Sequence, residues 1–142
     1  MIKLILAIFF GAFSLLPVYA IECADKQECF PENSSTWHVY ENKKIIKRIN
    51  FQVKSKEHFF LKEIKSSDLR RSLRGQFKIS AELSIVECEI LGETSGAGAH
   101  WPGVWSGVCQ ISYLERHLAN IKIASECLKG SDVDVGQCLS SF

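Results

Sequence analysis

Six cysteines, Cys23, Cys29, Cys88, Cys109, Cys127 and Cys138, all lie beyond the first twenty residues, and those twenty have the layout of an export leader. Lys3 stands near the start, an apolar run extends from Leu4 to Leu16, and Pro17 precedes the ending Val18-Tyr19-Ala20. A charged start, a short apolar stretch and a small-residue ending make up a cleavable signal peptide. The run is too short to span a bilayer, which takes about 20 apolar residues. Glu22 occupies the place before Cys23 where a lipid-modified cysteine would need a small neighbour. Residues 1–20 are therefore expected to be removed and residues 21–142 to form one domain, in the periplasm or secreted, with no membrane attachment. An even number of cysteines in such a product reads as three disulfides, because its destination is oxidising and a small core gains from cross-links. Their pairing cannot be deduced from the sequence.

Charge narrows the partners. The chain carries a formal net charge of +1, which falls to zero once Lys3 is removed with the leader. Nucleic acid is not expected as a partner, since neutralising phosphates takes a surplus of Lys and Arg on one face. The local basic runs, Lys43-Lys44 with Lys47-Arg48 and Arg70-Arg71-Arg74, read as solvated helix faces.

The apolar spacing predicts a mainly helical fold. Ser34 or Ser35 can cap a helix opening near Thr36-Trp37. Between residues 44 and 65, Ile49, Phe51 and Val53 alternate as in a strand, while Ile46, Ile49, Val53, Phe60 and Ile64 fit a helical stripe. The helix is favoured, because no second alternating run follows with which a strand could pair. Ser66-Ser67-Asp68 reads as a break and an N-cap. From there Leu69, Leu73, Gln76, Ile79, Leu83, Val86 and Ile90 recur at three- and four-residue steps and are predicted to face inward, with Gly92 as the stop. A second helix is predicted from Val108 to Ala124, with Val108, Ile111, Leu114, Leu118 and Ile121 inward. Gly92 to Gly107 holds five glycines, Pro102, Trp101 and Trp105, and is expected to be a long loop joining two antiparallel helices. The segment Cys127 to Cys138 is closed most simply by a local disulfide.

Few constellations suggest chemistry. The cysteines lie six or more residues apart in sequence and the histidines at 38, 58, 100 and 117 stand singly, which is not the spacing of a zinc site. Cys88 or Cys109 beside His100 could form a nucleophile and base, but a disulfide-bonded sulfur has no thiolate with which to attack. Ser106 and Ser95 are not at the centre of a Gly-x-Ser-x-Gly elbow, and Gly96-Ala-Gly98 follows a helix rather than a strand. The acids Glu87, Glu89, Glu93, Asp132 and Asp134 read as solvated. No metal, cofactor or catalytic role is expected. His100, Trp101 and Trp105 remain as binding candidates, since tryptophan joins a large rigid apolar surface to a polar N–H. The competing expectation is that both indoles plug the loop's own small core.

The order Leu69, Leu73, Gln76, Glu87-Cys88, a glycine-rich aromatic loop, then Cys109 followed by Leu114-Glu115-Arg116-His117-Leu118 resembles the lysozyme inhibitor LprI-like N-terminal domain family, over about residues 68–122. The resemblance implies a disulfide-linked helical domain exported by a bacterium, with lysozyme inhibition attributed to some members. The expected function is thus a non-enzymatic exported binding protein, with lysozyme as the partner the resemblance names. The alternative is a secreted bacterial factor that binds a host or competitor protein.

Overall fold

The structure, a computed structural model, describes residues 29–96, 98, 101–130, 134–140 and 142. The leader expected at 1–20, Cys23 and His100 lie outside the described residues. Among the described residues four helices follow in order: α1 (Ser35–Glu63), α2 (Ser67–Thr94), α3 (Pro102–Cys127) and the short α4 (Val135–Cys138). Among the described residues there is no strand, and no helix is long and apolar enough to cross a membrane.

Local chemistry sets the helix ends. The Ser34 side chain accepts a hydrogen bond from the Trp37 backbone N–H at 3.2 Å, Ser66 accepts one from Leu69 at 3.3 Å, and Asp134 accepts one from Gly136 at 2.9 Å. Each satisfies a donor that the first helical turn leaves without a partner. Pro102 opens α3 at the position where a missing N–H costs nothing. The turn between α1 and α2 is locked by Arg70, whose Nε and Nη2 donate to the Ile64 carbonyl at 3.3 and 2.6 Å.

The helices run up, down and up, with α3 packed along both of the others. Asn42 reaches Val104 and Glu57 reaches His117, an almost constant offset in sequence, so α1 and α3 are parallel. Cys88 bonds Cys109 while Phe77 meets His117, so α2 and α3 are the expected antiparallel pair. One core, at the end where α1 turns into α2, gathers Phe60, Leu61, Ile64, Leu73, Phe77, Ile121 and Ala124. A smaller one joins Ile49 and Val53 of α1 to Leu114 of α3. The stripe read in residues 44–65 is thus helical: Ile49, Val53, Phe60 and Ile64 are buried and Ile46 is half-buried.

Two disulfides resolve part of the pairing. Cys88 joins Cys109, and Cys127 joins Cys138, each with Cα atoms 5.5 Å apart. The second is the local closure that spacing suggested. The partner of Cys29 is not among the described residues.

The structure corrects four sequence readings. Gly92 does not stop α2, which runs on to Thr94, because the glycine lies against α3 and a Cβ there would overlap the Pro102 carbonyl oxygen. The connection is residues 95–101 rather than 92–107. Gly103 and Gly107 belong to the first turns of α3, where Val39 and Asn42 of α1 press against them. Small residues that read as loop formers are close-approach positions between helices. The inward face of α2 also differs: Leu73, Phe77, Ser84 and Cys88 are buried and Leu69 is half-buried, while Gln76, Ile79, Leu83, Val86 and Ile90 face solvent. On α3, Leu114 and Ile121 are buried, Ile111 and Leu118 are half-buried, and Val108 faces out.

Candidate binding surface at the start of α3

The first turns of α3 are held from two sides. Towards α2, the Cys88–Cys109 disulfide and the contact of Gly92 with Pro102 and Ser106 fix the spacing. Towards α1, Asn42 Nδ2 donates to the Val104 carbonyl at 3.0 Å, and its side chain fills the space above Gly107. Trp101 is the N-cap of α3, and its carbonyl accepts from the backbone N–H groups of Val104 and Trp105 at 2.9 and 3.1 Å. Trp101, Trp105 and Val108 follow at four- and three-residue steps and so share one side of the helix.

That side faces outward. Trp101 is 38% exposed, Trp105 45% and Val108 42%. Neither indole is the buried plug of a loop core, although Trp101 does pack on one neighbour, its ring centroid lying 5.9 Å from that of His38. His38 in turn meets the edge of Trp37 at 5.1 Å. The opening of α1 therefore supplies two rings, Trp37 and His38, that the sequence reading did not attach to this surface. Only the cap geometry at Ser34 hinted at them, by placing both in the first turn of α1. Of the three predicted residues, the structure brings Trp101 and Trp105 together and does not describe His100. The chemistry offered is recognition: two rigid, partly exposed aromatic surfaces on a braced helix end.

A second constellation lies lower in the molecule. His117 Nε2 and Glu57 Oε1 are 2.8 Å apart and both residues are half-buried. The His117 ring meets the edge of Phe77 at 5.1 Å and stacks at 6.4 Å on Tyr113. A cleft of about 380 Å³ between α1 and α2 has Leu114, Tyr113 and His117 on its floor, and one of about 210 Å³ on the other side of the ring cluster includes Ser80, Arg116 and Asn120. Burial raises the Tyr113 phenol above its ordinary 10.0, the Ser80 hydrogen bond acts against this, and Glu57 and Glu87 reinforce it. Sequence reading missed the Glu57–His117 pair because its members lie sixty positions apart. Among the described residues no group of three or more His, Cys, Asp or Glu side chains is arranged to hold a metal.

No protein-family model, curated protein or solved structure matches the chain.

Proposed function

We propose that this chain is an exported, non-enzymatic binding protein that engages a protein partner through the outer face of the first turns of α3, with Trp101 and Trp105 as anchors. The observation that carries the reading is the half-exposure of two neighbouring indoles on a helix end braced by a disulfide and by two glycine contacts. A flexible segment that ordered on binding would lose conformational entropy, whereas a braced one has already done so. The two described disulfides fit an oxidising destination, in keeping with cleavage of the leader and release into the periplasm or beyond.

The resemblance over residues 68–122 makes a lysozyme the first partner to test. In a cell-wall lysis assay, micromolar purified protein is expected to slow at least one of several lysozymes. Trp101→Ala combined with Trp105→Ala is expected to weaken that effect about 30-fold or more, the size of a loss of 2 kcal/mol at an aromatic hot spot. Lysozymes that all remain uninhibited would remove the inhibitor version. Capture of a defined host or competitor protein, lost in the same double variant, would then support the alternative.

A further inference from the structure

Helix α2 carries two apolar faces, and among the described residues only one is packed against another helix. At 100° per residue, Leu73, Phe77, Ser84 and Cys88 point about 140° away from Ile79, Leu83, Val86 and Ile90. The first group is buried, and the second is between 51 and 65% exposed. The exposed group steps by four, three and four residues, the spacing of a seam that a second helix can fill, and it runs for about 16 Å. A continuous stripe of four large aliphatic side chains in water is a place where apolar area remains to be buried.

Charge decides what covers it. From Ile79 to Thr94 the chain has Glu82, Glu87, Glu89 and Glu93 and no Lys or Arg. Glu82 and Glu89 lie along one edge of the stripe and Glu87 along the other, at the positions that contact a partner helix beside its apolar seam. All four are exposed. Lys78 approaches Glu82 at 3.9 Å, but that pair is itself on the surface and holds little energy. A second copy of this chain fits badly. An antiparallel pairing sets the Glu82 and Glu89 edge against the same edge of its partner, and a parallel one sets Glu82 or Glu89 against Glu87. Both oppose like charges.

We propose that the outer face of α2 from Ile79 to Ile90 is a docking surface for a cationic amphipathic helix of a partner protein, whose apolar side lies on the stripe and whose Lys or Arg side chains meet the glutamates. This surface is independent of the tryptophan face of α3.

The test uses the whole exported protein and two labelled synthetic peptides of about five helical turns. Both carry leucine on one face, with lysine at every other position in one and glutamate in the other. Fluorescence anisotropy is expected to show micromolar binding of the lysine peptide, at least tenfold weaker in 0.5 M than in 0.05 M salt, and no binding of the glutamate peptide. Leu83→Ser with Val86→Ser is expected to weaken binding at least tenfold at an unchanged melting temperature. Glu82→Lys with Glu89→Lys is expected to reverse the peptide preference. Trp101→Ala with Trp105→Ala is expected to change nothing, so failure here and failure of the tryptophan face are separable. Equal binding of the two peptides, indifference to the α2 substitutions, or a sedimenting dimer that Leu83→Ser dissociates would each overturn the proposal. So would unfolding of the serine variant, which would mean that the stripe is packed rather than free.

Discussion

A methyl group added at Gly107 would lie 2.6 Å from Asn42 Nδ2 and 2.8 Å from Asn42 Cβ, inside the contact between α1 and α3. Gly107→Ala is therefore expected to cost about 1–3 kcal/mol, the range for overfilling a packed contact, read as a lower urea midpoint. At Gly92 the obstacle is the backbone oxygen of Pro102, which cannot rotate aside, so Gly92→Ala is expected to cost more than Gly107→Ala. Gly75 is the counter-case: nothing lies within 4 Å of a Cβ there, and the residue is exposed within α2. Gly75→Ala is expected to stabilise by about 0.8–1 kcal/mol through helix propensity alone. The roles of Gly92 and Gly107 were not legible in the sequence, because they depend on residues of another helix. Tyr113 adds a dependence on pH. Its phenol titrates higher in the folded chain than in the unfolded one, so the unfolded state releases its proton first. The contribution is complete below the unfolded value near 10 and is lost as pH rises through the folded one. Between pH 9 and 11 the urea midpoint of the wild type is expected to fall more steeply than that of Tyr113→Phe.

Among the elements, α2 shows why its spacing misleads. Large aliphatic residues at three- and four-residue steps are the usual mark of a buried face, and Ile79, Leu83, Val86 and Ile90 meet it. The face that packs instead ends in Ser84, Cys88 and Gly92, small residues that let α3 come close enough for Cys88 to bond Cys109. Small size is what a close crossing needs, and it is also what a search for apolar bulk passes over. The helix itself was legible, from its Ser66 cap to within two residues of its end, because caps and periodicity are local. Which side is inside is not local. The two described disulfides span separations of 21 and 11 residues. Loop-closure entropy grows only logarithmically, so each is worth about 3 kcal/mol in the chain-entropy model. Replacing Cys88 and Cys109 by alanine is expected to lower stability by nearly the same amount as replacing Cys127 and Cys138, with urea unfolding as the measure.

In the whole molecule α3 is the helix that both long partners use, and its N-terminal turns are where three separate constraints meet. The disulfide from α2, the Asn42 amide from α1 and the His38 ring against Trp101 all act there. The tryptophan face is consequently a product of the assembled fold, although its two indoles could be picked out from the sequence. The ring contact between His38 and Trp101 gives this a direct test. In a protein with Trp37→Phe and Trp105→Phe, Trp101 is the one tryptophan left, and its emission can be excited selectively over that of the tyrosines. Its quenching by acrylamide is expected to lie between that of free tryptophan and that of a core residue, since one part of the ring is covered and 38% of the residue is exposed. Adding His38→Ala removes the covering ring and is expected to raise the quenching constant measurably without lowering the helical circular dichroism signal. An unchanged constant would mean that His38 does not shield the indole, and the opening of α1 would then drop out of the proposed binding surface, leaving Trp101, Trp105 and Val108 of α3 to form it alone.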